Sequence, residues 1–171
     1  ASTWTFIAFS RIAGVNKLFV NGTQVASNSN SWTQTIVSTN PYYIGQTVGV
    51  DRPFDGYIDD LRITKGIGRY PYNFTPPTAA FPDIGGTITL TADPYYEYTT
   101  LLLPGNGTNG AQNNTFLDGS TNNFTITRNG NTTQGTFSPF SQTGWGNYFD
   151  GSSNLVTSSS QIIPTGSFTI E

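Results

Sequence analysis

Four aspartates crowd into ten positions, Asp51, Asp55, Asp59 and Asp60, and carboxylates at that density are hard oxygen donors of the kind calcium selects. Asp59-Asp60 is the one adjacent carboxylate pair in the chain. Asp55, Asp59 and Asp60 are therefore the candidate metal ligands, with Asp51 beside them. The competing role is structural. Strand alternation would turn one member of the pair outward and leave the other on the face of Leu61 and Ile63, where a carboxylate needs Arg62, Arg11 or backbone amides as partners. No spaced calcium loop surrounds the group, so the structural role is favoured. Asp118 and Asp150, each followed by glycine, read as turn residues.

Catalysis finds little to work with. The chain has no histidine and no cysteine, which removes imidazole bases, thiolate nucleophiles, disulfides and the usual zinc or iron ligands. Glycoside hydrolysis needs two carboxylates placed across a scissile bond. The only glutamates are Glu97 and Glu171, and neither lies in an E-x-D-x-x-E strand pattern. The expectation is a protein that is not an enzyme.

Binding is better served. The chain carries 12 Phe, 9 Tyr and 3 Trp, and an exposed aromatic ring can stack on the apolar face of a sugar. Trp145, Tyr148, Trp32, Tyr70 and Tyr72 lie near expected loops and are the candidate glycan-stacking residues. Most of the remaining rings are expected to pack a core.

Charged residues make up only 10% of the 171 residues, and the formal net charge is −3. Solubility then falls to Ser, Thr, Asn and Gly, and no broad cationic surface is offered to a phosphate backbone, so nucleic acid is excluded as a partner. Charge is unevenly spread: residues 1–82 hold six Lys/Arg and four Asp/Glu, whereas 83–171 hold one and six. The two parts are expected to attract weakly. No apolar run reaches the roughly 20 residues of a membrane-spanning helix, and the first residues do not resemble a signal peptide. Six Asn-x-Ser/Thr sequons, at Asn21, Asn73, Asn106, Asn113, Asn123 and Asn131, follow from an Asn- and Thr-rich composition.

These groups must be carried by strands. Short apolar-polar alternations bounded by Gly, Asn and Pro predict antiparallel sheets. TWTFIAFS (Thr3 to Ser10) is apolar on both faces and should be a central strand covered on both sides. Asn21-Gly22 between KLFV and TQVA predicts a tight two-residue hairpin, with Val20 opposite Thr23 and Leu18 opposite Val25. Further strands are expected at Trp32–Val37, Tyr42–Ile44, Tyr57–Thr64, Thr87–Thr91, Thr99–Leu103, Asn123–Thr127, Tyr148–Phe149 and Phe168–Glu171, with one helical turn at Lys65–Arg69. FTPPTAAFP (Phe74 to Pro82) marks a boundary. Segments 1–82, 83–98 (a connector) and 99–171 result. Both ends of the sequence read as interior strands, which predicts a slice of a longer repetitive chain whose strands pair with copies of itself or with adjacent repeats.

The motifs W-x-F-I-A-F-S-R (Trp4 to Arg11), L-F-V-N-G (Leu18 to Gly22), F-D-G-Y-I-D-D-L-R-I-T (Phe54 to Thr64) and G-R-Y…F-T-P-P-T (Gly68 to Thr78) resemble the second half of a laminin-G-like, concanavalin A-like jelly roll. LLLPGNGTNG, FLDGSTNNFTITRNG, FSPF, NYFDGSSN and GSFTIE, between Leu101 and Glu171, resemble the first half. The chain is in particular similar to tandem jelly rolls in virion structural proteins of tailed phages, with the halves in permuted order. The resemblance implies an antiparallel jelly-roll β-sandwich, a core role for the Asp59-Asp60 strand, and a non-enzymatic structural or adhesive repeat in a virion fibre or appendage that binds host surface glycans. No cofactor is expected, with calcium at Asp55, Asp59 and Asp60 as the alternative. The alternatives are a bacterial extracellular adhesin or matrix-filament subunit, and the carbohydrate-binding module of a glycoside hydrolase.

Overall fold

The computed structural model describes residues 3–29, 41–46, 53–82, 93–105, 114–135, 138–140, 146–158, 162 and 166–171. Among them are β1 (Ile7–Ile12), β2 (Val15–Val20), β3 (Thr23–Asn28), β4 (Tyr43–Ile44), β5 (Asp55–Ile58), β6 (Leu61–Lys65), β7 (Thr99–Leu103), β8 (Ile126–Asn129), β9 (Thr133–Gly135), β10 (Gly146–Asp150), β11 (Asn154–Thr157) and β12 (Phe168–Ile170), plus one 3-10 turn over Tyr96–Tyr98. All ladders between these strands are antiparallel. The all-β, antiparallel fold class read from the sequence is the one the chain adopts. No helix among the described residues is long and apolar enough to cross a membrane.

Six strands make one sheet in the order β3-β2-β1-β12-β6-β7, and the others make two three-stranded sheets, β5-β10-β9 and β4-β11-β8. Alternation gives the large sheet two working faces. On one, Ile63, Leu101 and Leu103 meet Phe149 of β10 and Leu155 of β11, with Phe116 and Ile162 closing the cluster. Each fully buried Leu or Phe in such a core contributes roughly 1.5–3 kcal/mol. On the other face Phe19 is buried under residues 67–82. There Tyr70 stacks on Phe74 at 3.7 Å, and Phe74 meets Phe6 and Phe19 edge-on at 5.8 and 5.4 Å. This proline-rich stretch cannot join a ladder, so it lies across the sheet. It passes so close to the hairpin turn that a Cβ at Gly22 would stand 1.9 Å from the Phe74 carbonyl oxygen.

The strand drawn from the end of the sequence closes the large sheet. β12 lies between β1 and β6, with Phe9 opposite Ile170 and Ile170 opposite Ile63. Strands from residues 1–82 and 99–171 thus share one sheet. The two sequence-terminal strands pair with each other within the chain, so their ladders are not the ones available to a neighbour. Beyond β12 the Glu171 carbonyl accepts the Arg62 amide at 2.6 Å and its own amide donates to the Arg62 carbonyl at 3.0 Å. The Glu171 carboxylate also accepts the Arg62 guanidinium and the Tyr70 hydroxyl. Arg62 and Arg69 both reach Asp93, at 3.0 and 2.8 Å. Burial would raise the Asp93 carboxyl, but hydrogen bonds from Arg69 and the Tyr95 amide, with the charges of Arg69 and Arg62, outweigh it and hold it below the usual range. Burial, and then the adjacent Glu171 charge, pushes the Tyr70 phenol up. Two arginines from the first segment thereby meet two carboxylates from the later ones, the direction of attraction that the uneven charge predicts.

Several local expectations change. The hairpin turns at Asn21-Gly22 with both residues at positive φ, 49° and 77°, and Val20 faces Thr23. Leu18, however, faces Ala26 rather than Val25, because a bulge sits between Leu18 and Phe19. Tyr57–Thr64 is two strands, broken at Asp59-Asp60 where Asp60 has φ 50°. That left-handed residue carries the chain from the small β5-β10-β9 sheet into the large one. Lys65–Arg69 forms no helical turn: Gly66 (φ 84°) donates its amide to Ser167, and Arg69 is drawn out straight by Thr64, Asp93 and Thr169. β1 is central as expected, but Ile7 is 56% exposed, so only one side is closed at that end. The strand expected at Asn123 starts at Ile126, since Asn123 is in a turn at φ 47°. Trp32–Val37 and Thr87–Thr91 lie outside the described residues.

Glu171→Ala would leave Arg62 and Arg69 to share the single carboxylate of Asp93 in the interior. Removing one partner of a buried ion pair costs roughly 3–5 kcal/mol, so the urea midpoint at pH 7 should fall accordingly. A loss under about 1 kcal/mol would show that Glu171 does not anchor β12.

Candidate functional site

The candidate metal ligands part company in the fold. Asp60 is buried and its carboxylate accepts the Phe81 amide at 3.0 Å. Asp59 takes the Ser138 hydroxyl at 2.9 Å on one oxygen and the Asp60 amide at 3.1 Å on the other. Asp55 lies on β5, directly opposite Asp150 on β10. Asp51 is outside the described residues. Among the described residues no three His, Cys, Asp or Glu side chains gather to hold a metal ion. Burial pushes the Asp59 carboxyl up to about 6 despite the opposing Ser138 and Asp60 hydrogen bonds.

The aromatic candidates also separate. Tyr70 is a packing residue, stacked on Phe74 with its hydroxyl spent on Glu171. Tyr72 is 77% exposed, with the Lys17 ammonium 5.4 Å from its ring centre, beside a shallow depression shared with Gln24 and Asn73. Trp32 and Trp145 lie outside the described residues. Tyr148 is the candidate that gains company.

Tyr148 faces Tyr57 across the β10-β5 ladder and Thr133 across the β10-β9 ladder. Opposed residues share a face, and the two tyrosine rings lie 5.1 Å apart. Trp4 adds its edge to Tyr57 at 6.3 Å. The alternate residues, Phe149, Asn147 and Ile58, point into the molecule, and Phe149 and Asn147 are buried. The outer face of this small sheet therefore carries Asp55, Tyr57, Tyr148, Asp150 and Thr133. Gly135 opens it further, since even a Cβ there would remain 4.0 Å from the Tyr57 ring. Tyr57 was not among the sequence candidates, although its alternation with Asp55 across Gly56 marks it as outward. Nothing local marks Trp4.

Two carboxylates stand opposite each other beside these rings. The Ser153 hydroxyl, and then the Ser152 amide, hold the Asp150 carboxyl down at about 2, so it is an acceptor and not an acid at neutral pH. Aromatic rings flanked by carboxylates and a hydroxyl suit a ligand with an apolar face and several hydroxyl groups.

Comparison with known proteins gives one result. The family model described as the concanavalin A-like lectin/glucanases superfamily matches residues 1–66, a span that includes Trp4, Asp55 and Tyr57 and ends just after β6. No curated protein and no solved structure matches the chain.

Asp59 gives this region a pH signature. Its carboxyl holds a proton more tightly when folded, at about 6, than at its ordinary value of 3.8. The associated stability is present below about pH 4 and is lost as pH rises through 6. Asp59→Asn should then raise Tm by a few degrees at pH 7.5 in chelated buffer and leave it nearly unchanged at pH 4. Equal shifts at both pH values, by scanning calorimetry, would rule this out.

Proposed function

We propose that the chain is a non-catalytic structural and adhesive module of a phage fibre or other virion appendage, binding surface glycans on the outer face of β5-β10-β9. The observation that carries the reading is the Tyr57–Tyr148 pair, 5.1 Å apart on a face that also presents Asp55 and Asp150. Rings in that arrangement supply the stacking surface, and Asp55 beside them offers an acceptor to sugar hydroxyls, while Asp150 takes the Ser152 amide and hydroxyl at 3.0 Å and shapes the adjoining turn. Thr133 adds a neutral donor and acceptor. The non-catalytic part of the reading draws on where other carboxylates go: Asp60, Asp93, Asp118 and Glu171 each accept bonds that hold the fold. The lectin/glucanase-type match over residues 1–66 is in keeping with a glycan ligand. The virion setting draws on the motif resemblance and on the hydroxyl-rich, weakly charged surface.

A glycan array followed by calorimetry on the best ligand tests the site. Tyr57→Ala and Tyr148→Ala should each weaken binding by about tenfold or more, with no reducing sugar released on prolonged incubation. Binding that survives both substitutions, or an array with no ligand, would remove the site, and turnover would remove the non-catalytic reading. Genes for tail or capsid proteins beside the coding sequence are expected. An upstream secretion signal and no such genes would point to a bacterial adhesin.

A further inference from the structure

Three side-chain amides form a relay from the surface to the interior. Asn129 on β8 stands opposite Asn154 on β11, and its Nδ2 donates to Asn154 Oδ1 at 3.0 Å. Asn154 Nδ2 donates in turn to Gln46 Oε1, also at 3.0 Å. Asn129 is exposed, Asn154 half-buried and Gln46 buried. The inner end is unpaired: Gln46 Nε2 is buried without a hydrogen-bond partner among the described residues, and such an orphan needs an explanation. The backbone beside it is held in place. Gly45 accepts the Phe54 amide at 2.8 Å and lies so close to Phe149 that a Cβ would stand 2.3 Å from the ring.

The outer end of the relay is an asparagine followed by glycine. Asparagine is thermally labile, and a following glycine has no Cβ to crowd the backbone nitrogen that attacks the side-chain carbonyl carbon. Two such dipeptides are described, Asn21-Gly22 and Asn129-Gly130, and they differ in what holds them. Asn21 Oδ1 accepts the Phe6 amide at 3.0 Å, the Asn21 amide donates to the Phe6 carbonyl at 2.8 Å, and buried Gly22 takes the Phe74 amide on its carbonyl at 2.9 Å. Cyclisation there requires the Oδ1 contact to Phe6 to break first. Gly130 is exposed, and among the described residues the Asn129 side chain is tied through Asn154 alone.

We infer that Asn129-Gly130 is a self-modification site, whose conversion to aspartate reverses the relay and gives the buried Gln46 amide nitrogen the acceptor it lacks. The Gly130 nitrogen bonds to Asn129 Cγ and gives up its proton, and the side-chain amide leaves as ammonia. Water then opens the cyclic imide, so the net reaction consumes one water and releases one ammonia, with no oxidant or cofactor. The resulting carboxylate accepts hydrogen bonds and donates none. Asn154 must therefore turn its Nδ2 outward and its Oδ1 inward, and Gln46 answers with its Nε2. The orphaned donor is paired, and the unpaired atom becomes an oxygen. Water attack at the other imide carbonyl gives the isomer with one more carbon in the backbone, which breaks the register with Asn154 instead. The proposal is independent of the glycan reading, because it is read on the protein alone.

The chain is aged at mildly alkaline pH, folded and in parallel in urea, and digested for peptide mass mapping. In the folded chain the Asn129 peptide should gain acid and isomerised forms about tenfold or more faster than the Asn21 peptide, because conversion at a locked site follows the small population in which it opens. In urea the two should convert at similar rates. Asn129→Asp is then compared with the wild type by NMR of the side-chain amides. One Gln46 Nε2 proton should move downfield as it gains an acceptor. Asn129→Ala removes the outer bond without supplying an acceptor, and should leave that proton where it was. The proposal is overturned by an Asn129 amide that survives in the folded chain, by conversion of Asn21 at an equal rate there, or by Gln46 protons that stay unmoved in Asn129→Asp or move as far in Asn129→Ala.

Discussion

The large sheet depends on one insertion. Without β12, the β1-β2-β3 hairpin unit and the β6-β7 pair have no common partner, because β12 is the strand to which both β1 and β6 bond. Three residues of ladder on each side would be a slender hold. The Arg62–Glu171 contact lengthens it by one position and adds a guanidinium clamp, with Arg69, Asp93 and Tyr70 completing the polar set. Two positive and two negative groups leave the cluster neutral, and the Arg62 guanidinium also covers the Phe81 ring at 3.6 Å. Buried ion pairs are a poor source of net stability compared with apolar packing. Here the arrangement serves to select one partner for β6 out of many similar short strands.

A second constraint governs what faces outward. The left-handed Asp60 divides what would otherwise be one continuous strand, so that Tyr57 and Ile63 belong to different sheets. Ladder register then does the rest. Pairing Tyr57 with Tyr148 puts both rings outside, and the same pairing puts Asn147 inside, one residue away. The outward tyrosine pair and the buried Asn147 side chain lie on the two sides of a single three-stranded sheet, fixed by the same hydrogen bonds.

What could be read from the sequence was local. Asn21-Gly22 determines its turn because both residues must adopt positive φ within two positions, and few dipeptides do so as cheaply. The bulge that shifts Leu18 onto Ala26 leaves no comparable mark. Tyr57–Thr64 read as one strand because its alternation runs unbroken through Asp59-Asp60, and alternation does not report which sheet a residue joins. For the site, Tyr148 was legible as an aromatic near a turn, and Tyr57 was legible as outward, but their meeting is a contact between distant segments that no periodicity encodes. Tyr70 misled for the same reason: its partners, Phe74 and Glu171, are one near and one far. Asn147 and Gln134, both buried, carry no sequence signal at all, since whether an amide is buried depends on distant neighbours.

The position of β12 sets the order in which this molecule can be made. Ser10 bonds Thr169, 159 positions along the chain, and Arg62 bonds Glu171, 109 positions along. Contacts of such separation are slow to form. During synthesis β1 and β6 must wait side by side, with unsatisfied backbone edges, for a strand that has not yet been translated. In a chain carrying further units of this kind, the nearest β12 to arrive need not be the correct one, so exchange of strands between neighbouring units is the characteristic folding error this topology invites.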